Sequence, residues 1–259
     1  MPPGQPPSPP ERLLLPLPNP LMTDAMTPIQ LLESRHSVRA YAPDPIDAAA
    51  VRTLQADITM INTHEAGMHF SLVVDDEAPL KSASGIYGAF RNARNFVACI
   101  VEPAYPDTYA RAGYCAQQLA ISALRLGLGS CFVAGTFNRD AVRLPMRAGW
   151  ELPFILVLGN PDIARRRTLD KLLTWAIHRH SLPPRDLLLD SDTAQIDADM
   201  EFALRAVACA PSHLNKQPVR VRRGEFGPEA FLPQKTPSVV EQIDLGIARY
   251  NIDAALGLV

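Results

Sequence analysis

Apolar positions recur along this chain first at helical and then at strand spacing. The earliest clear signal is Thr27 followed by Pro28, an N-cap with proline at the first helical position of IQLLESR. A short helix is predicted there, and it ends by delivering Arg35. A second helix is predicted to start near Asp47 and to carry Ala49, Ala50, Leu54 and Ile58. His69 to Val74 and Phe96 to Val101 read as strands from their β-branched and aromatic content. In TYARAGYCAQQLAISALRLGLG, Leu119, Ala120, Ala123 and Leu126 stand at core spacing, and small residues between them let a neighbouring helix approach closely. Gly127 or Gly129 closes that helix in a left-handed cap, after which Cys131 to Ala134 form a short strand leading to Gly135 and Thr136. Phe154 to Leu158 is a further apolar strand. A helix over DADMEFALRAVACA sets Phe202, Ala206 and Val207 on one side, stops at Pro211 and is followed by a strand from Val219 to Arg222. Near the C-terminus, DLGIARYNIDAALG echoes RAGYCAQQLAISALRLG, with Gly246 opposite Gly113 and Ile252 opposite Leu119, which points to an internal duplication.

With 259 residues, 47% of them hydrophobic, the chain can bury a sizeable core as one large domain or two small ones. A net charge of −2, with Lys and Arg scattered among acidic neighbours, argues against a nucleic-acid binder. Cys99, Cys115, Cys131 and Cys209 lie far apart with no C-x-x-C pair, so reduced thiols in a cytoplasmic protein are expected, with no zinc site and no disulfide framework. His178 and His180 stand two apart in a predicted helix and face different sides, so no metal pair is expected. No apolar run reaches the roughly 20 residues of a membrane span. Nine of the 25 prolines fall in the first 20 residues, which favours a disordered leader to about Asp24; the alternative is a proline-rich ligand for a partner domain.

The candidate chemistry lies in three places. In RHSVRAY, Arg35, Ser37 and Arg39 alternate, so an extended backbone puts two guanidiniums and a hydroxyl on one face, a good cradle for a phosphate; the alternative is a solvated charged turn. Arg165, Arg166 and Arg167 behind the strand ending in GNP either add charge to that cradle or form a basic turn. In APSHLNKQP, Ser212, Asn215, Lys216 and Gln217 suit the polar edge of a planar heterocycle, or else satisfy their own backbone in a turn. Gly127 and Gly129 end a helix and lack a third glycine, so they are no dinucleotide fingerprint, and there is no Walker A loop.

Taken in order, RHSVRAY behind its helix, AGYCAQQLAISALRLGLGSCFVAGTFNRDAV, and the strand ending in GNP with arginines after it resemble the nitroreductase family. APSHLNKQP is similar to that family's P-S-x-x-N-x-Q-P loop, which ordinarily follows the first helix after the arginine motif. Here that early position reads ADITMINTHEAGMHF and the loop comes in the last third. The displacement resembles a subgroup in which two half-equivalents are fused in one chain. In ordinary members the flavin lies at a dimer interface, one subunit supplying the arginine motif and the other contacts along the ring.

The resemblance implies an α+β fold of three layers, α/β/α, with a mixed, largely antiparallel sheet, arranged as an internal pseudo-dimer. Residues 1–26 would be the leader, 27–165 the first half and 166–259 a second, truncated half. It implies one FMN per chain. Arg35 and Ser37, with His36 between them, would hold the phosphate, and Arg39 would lie by the ribityl chain or pyrimidine edge. Gly135 and Thr136 would offer backbone N–H toward flavin N5, and Arg165 or Arg167 would reinforce the phosphate site. Ser212 and Asn215 would meet the ring from the second half, on a loop shaped by Pro211 and Gln217. The implied activity is transfer of electrons from NAD(P)H through the flavin to a small acceptor such as a quinone or nitro compound, with no separate catalytic acid or base. A pseudo-dimer has no need of the family's usual pairing, so a monomer is expected. Two departures favour an alternative, a flavin-binding or degenerate member without turnover. Val219 stands where the family commonly has tryptophan, and the chain stops soon after the Gly246 helix.

Overall fold

In the computed structural model, which describes residues 25–81, 90–162, 181–189 and 196–259, the helix after Thr27 is α1, Pro28–Ser34. Thr27 and Gln30 cap its N-terminus reciprocally, and Ile29, Leu31 and Leu32 are buried. Helix α2, Ala48–His64, starts at Asp47, whose carboxylate accepts the N–H groups of Ala49 and Ala50. Its stripe of Ala50, Leu54, Ile58 and Ile61 is buried, while Ala49, one position off the stripe, is exposed. Strands β1, Met68–Val73, and β2, Asn95–Val101, flank the short α3, Ala78–Lys81. Helix α4, Thr108–Arg125, ends at Gly127, which supplies the left-handed φ of 76° that turns the chain into β3, Gly129–Val133. Strand β4, Glu151–Gly159, then inserts between β2 and β3.

The resulting sheet runs β1-β2-β4-β3 with every ladder antiparallel. Among the described residues, parallel pairing enters as single bridges, such as Ser37 with Ser130 and Ala40 with Arg91. Both faces of the sheet are covered. From β2, Val97, Cys99 and Val101 join Leu54, Ile58 and Leu119 under α2 and α4, while Phe96, Ala98 and Ile100 join Val38, Tyr41 and Val157 on the other side. A strand buried on both faces reads as an unbroken apolar run, which is why NFVACIV stands out in the sequence.

The last third runs helix, two strands, helix: α5, Ala198–Cys209; β5, Arg220–Gly224; β6, Gly227–Phe231; and α6, Val239–Ala255. β5 and β6 form a hairpin, and its second strand was not legible in the sequence. Pro228 sits in β6 and Phe226 at the turn is 96% exposed, so no alternating pattern marks it. Leu204, Val207, Val221 and Ile252 make the core of this part. Helices α4 and α6 meet at two glycines. A Cβ on Gly113 would overlap the carbonyl oxygen of Ile243, and one on Gly246 would overlap that of Ala110. Beside this crossing, the buried Gln117 side chain donates to Asn251 Oδ1 at 2.8 Å, and Asn251 Nδ2 donates to Ala206 O at 3.0 Å, tying α4, α6 and α5 together. Helix α1 closes the bundle, its leucines against Ile121, Leu124, Ala206 and Tyr250.

Candidate functional site

The stretch from Arg35 to Tyr41 leaves α1 in an extended conformation and threads across the sheet end. Val38 N donates to Ser130 O at 2.9 Å, and Tyr41 N and Arg91 N exchange bonds with Arg91 O and Arg39 O. Val38 and Ala40 are buried in the core, while Ser37 and Arg39 on the alternate positions are half-buried. Arg35, at the C-terminus of α1, is only 8% exposed. The shared face read from the spacing is therefore present for Ser37 and Arg39, with Arg35 deeper. His36 is half-buried and its Nδ1 lies 3.0 Å from Ser34 O. Two close approaches fix the strip. Gly129 leaves room for Val38, whose Cγ2 would be 2.7 Å from any Cβ there, and Tyr41 packs over Gly159 while its hydroxyl donates to Val38 O at 2.6 Å. Burial holds the Tyr41 phenol well above its usual range, so this bond persists through the physiological span.

Ser130 begins the run of β3 that leads to Gly135 and Thr136. Gly135 is exposed, with no atom within 4 Å of where a Cβ would be, and Thr136 is half-buried. The bend is held by a residue the sequence reading passed over. Arg139 donates through Nη2 to Ala134 O at 2.6 Å and through Nε to Leu152 O at 3.0 Å, and its guanidinium lies 4.7 Å from the Phe137 ring centroid.

The APSHLNKQP segment folds into a tight 3-10 turn over His213–Asn215 behind α5. Leu214, Asn215 and Gln217 all take left-handed φ values, of 52°, 50° and 45°. Three non-glycine residues in that region within four positions is a strained backbone, and the surroundings hold it. Ser212 Oγ accepts the Gln217 N–H at 2.9 Å, which leaves the hydroxyl hydrogen to donate elsewhere. The Gln217 side chain is buried and used at both ends, accepting from Leu182 N at 2.6 Å and donating to Ala208 O at 3.2 Å. Gln217 therefore shapes the loop. His213 N donates to both carboxylate oxygens of Asp244, at 3.2 and 3.1 Å. Asp244, on the second turn of α6, is another residue the sequence did not single out. Burial first, and then Glu241, push its carboxyl up to about 7 against the pull of the His213 N–H and Lys216. Burial, with Lys216 beside it, holds the His213 imidazole below its usual value.

The two sets of residues are linked through α1 and α5. Arg205 of α5 makes a bidentate pair with Glu33 of α1 at 2.9 and 3.0 Å, so the helix that ends in Arg35 is docked on the helix that leads to Pro211. Arg165 and Arg167, the histidines at 178 and 180, and the leader up to residue 24 lie outside the described residues. Among the described residues no group of three His, Cys, Asp or Glu side chains is placed to hold a metal, and no helix is long and apolar enough to cross a membrane.

The sequence profile of the family described as "Putative TM nitroreductase" matches residues 28–256. Among solved structures, the fold is similar to a "putative nitroreductase" of Thermotoga maritima, with a TM-score of 0.59 and 17% identity over 89% of this chain and 83% of that one. It is also similar to an FMN-dependent nitroreductase of Clostridium difficile R20291, at 0.43 and 19% over 52% of this chain and 87% of that one. A nitroreductase family protein of Clostridium difficile 630 gives 0.47 and 17% over 65% and 99%. No curated protein matches the chain. The likeness establishes a nitroreductase-like α+β fold with an antiparallel sheet.

Proposed function

We propose, given that this chain belongs to the nitroreductase family whose profile spans residues 28–256, that it is an FMN-dependent oxidoreductase carrying electrons from NAD(P)H to a small organic acceptor such as a quinone or nitro compound. The observation that carries a working site is the strained 211–217 loop. A segment that merely joined α5 to β5 would gain nothing from three left-handed residues, whereas such backbone collects at ligand sites.

The reading includes an internal pseudo-dimer, residues 27–165 and 166–259, with three layers around the sheet. The reciprocal contact between α4 and α6 supports it. Gly113 meets Ile243 and Gly246 meets Ala110, and in each helix the contacted residue lies three positions before the glycine. Contacts that exchange in this way are the mark of a two-fold interface. Apart from the short α3 between β1 and β2, the order helix, strand, strand, helix fits α2 to α4 as it fits α5 to α6, and Leu119 and Ile252, opposite one another in the echo, sit in different core clusters.

Bound FMN would supply the redox chemistry, accepting electrons from the nicotinamide and passing them on. Arg35, Ser37 and Arg39 would hold the phosphate and ribityl end through charge-assisted hydrogen bonds. The open space over Gly135 leaves the main chain accessible to a flat ring, with Thr136 beside it. Ser212 and Asn215 would present a hydroxyl and an amide to the ring's polar edge from the second half, with Pro211 and Gln217 fixing their backbone. Positive charge at Arg39 and Lys216 would favour the anionic reduced cofactor. Arg165 and Arg167 are assigned to the phosphate on the family resemblance alone.

The test is the visible spectrum of the full chain after addition of FMN and desalting. Flavin is expected to stay with the wild type. Arg35→Ala and Asn215→Ala should each weaken binding, the first by about ten- to a hundredfold, as loss of a charge-assisted bond implies. A colourless wild type would sink the flavoenzyme reading. NAD(P)H oxidation with a quinone then separates an enzyme from a binding protein without turnover. The second reading draws on Val219, which lies buried in the second-half core where the resemblance expects tryptophan.

A further inference from the structure

A carboxyl group buried beneath a strained loop makes an unusual anchor. Asp244 is 6% exposed, and among the described residues the bonds it accepts come from one donor, the backbone N–H of His213. That N–H belongs to the segment in which Leu214, Asn215 and Gln217 are left-handed. Water reaches the carboxyl only if something above or beside it moves. Helices α4 and α6 cannot part without breaking the Gly113 and Gly246 contacts and the buried Gln117–Asn251 bond. The loop is the element already under strain, so it is the element that gives.

We propose that Asp244 is a pH-sensitive latch on the 211–217 loop: while protonated it keeps the strained backbone docked on α6, and on ionising it releases that backbone to water.

Among the described residues, the charged groups around it leave this carboxyl as the one that controls the loop. From the loop itself, His213 and Lys216 face it, and from its own helix Glu241. Glu241 is engaged as the capping partner of Ser238, accepting from both its N–H and its hydroxyl. On α4, which packs against α6 here, Tyr109 donates to Glu151, Arg111 pairs with Glu65, and Tyr114 donates to Asp253, so none of them neutralises Asp244. Ionisation strengthens the His213 N–H bond, but that bond and the Lys216 charge do not offset burial, which is why the carboxyl is raised, and hydration of the charge favours the open loop. The midpoint near 7 puts the change at physiological pH. On the flavin reading above, on which this part of the inference rests, the loop carries Ser212 and Asn215. Alkaline solution therefore dismantles the second-half side of the site and weakens FMN.

Two measurements keep the latch and the flavin reading apart. Amide hydrogen exchange across 211–217 in the flavin-free full chain, corrected for the intrinsic pH dependence of exchange, tests the latch alone. Protection in the wild type should fall about tenfold from about pH 6 to about pH 8, following the ionised fraction. Asp244→Asn, neutral at every pH and still an acceptor, should stay protected throughout. His213→Ala, which keeps the backbone donor but loses the imidazole, should behave as the wild type. A wild type with no pH dependence, an Asp244→Asn protein that keeps it, or a His213→Ala protein that loses it would overturn the latch. The second measurement is the FMN dissociation constant over the same range, which should rise in the wild type and stay level in Asp244→Asn. A wild type that holds FMN with a pH-independent constant would overturn the coupling to the site. A protein that binds no FMN but shows the exchange pattern keeps the latch and loses the flavin reading.

Discussion

Asp244 couples the stability of this protein to pH. Its carboxyl is raised from an ordinary 3.8 to about 7, mainly because burial opposes the charge. An acid whose folded midpoint lies above its unfolded one binds its proton more tightly when folded. Its contribution is complete below about pH 4 and is lost as the pH rises through about 7. A shift of about three units corresponds to a cost on the order of 4 kcal/mol in alkaline solution, a large part of a typical folding free energy. Asp244→Asn removes that cost while keeping an acceptor for His213 N–H. Its melting temperature should exceed the wild type's by several degrees at about pH 8 and by little at about pH 5. A gap of equal size at both would mean that the carboxyl does not titrate in the folded state. Little of this could be read from the sequence. The alternation of Ser37 and Arg39 with buried Val38 and Ala40 was legible because an extended backbone has a period of two, while the depth of Arg35 was not. Arg139 and Asp244 were not, because what they hold is main chain: Arg139 bonds the carbonyls of Ala134 and Leu152, and Asp244 bonds the N–H of His213. A backbone partner leaves no trace in residue identity. The hydroxyl of Ser212 shows the opposite case, a turn residue whose bond to its own backbone was readable from its type. It satisfies its own loop through Gln217 N–H and still has a proton to give.

Among the elements, the pair α4 and α6 carries the clearest constraint, and the sequence showed it as an echo before any contact was known. Gly113 and Gly246 were matched by pattern, and each proves to sit against the backbone of the other helix. Replacing either by alanine sets two effects against each other. Helix propensity favours alanine by about 1 kcal/mol, and overpacking costs about 1–3 kcal/mol or more. Here the obstacle is a carbonyl oxygen in a helix, which cannot rotate away as a side chain would, so overpacking wins. Gly246→Ala and Gly113→Ala should each lower the denaturation midpoint, with a net loss of about 2 kcal/mol or more. Gly135→Ala, placed in open space, should leave it unchanged while interfering with any ligand that lies on that backbone. An unaltered midpoint in Gly246→Ala would show that the two helices are not in contact there. The helices and the four-stranded sheet were legible because caps and buried runs mark them locally. The first strand of the β5–β6 hairpin showed as the alternation Val219-Arg220-Val221-Arg222, but β6 was not legible, since Pro228 within it and the exposed Phe226 at the turn leave no alternating pattern.

At the scale of the whole molecule, the question is how many flavins one chain holds and whether it needs a second copy. If the halves are related as the α4–α6 contact suggests, the two-fold seam lies inside the chain. On that reading it is already filled by Gln117, Asn251 and the glycine crossing. The proposed site residues would divide unequally between the halves. The arginine strip Arg35–Arg39 follows α1, and the 211–217 loop follows α5, with Glu33 and Arg205 holding those two helices together. On that reading the first-half position is ADITMINTHEAGMHF, which runs from α2 into β1 and lacks the P-S-x-x-N-x-Q-P pattern. On the proposed reading, one complete site per chain is expected. The expected outcome in light scattering coupled to gel filtration is a single species near the chain mass of 28.3 kDa, with FMN titrating to about one equivalent per chain. A mass near twice that value with flavin retained only by the larger species would put the seam between chains. Two equivalents per chain would show that the second half holds an arginine strip of its own.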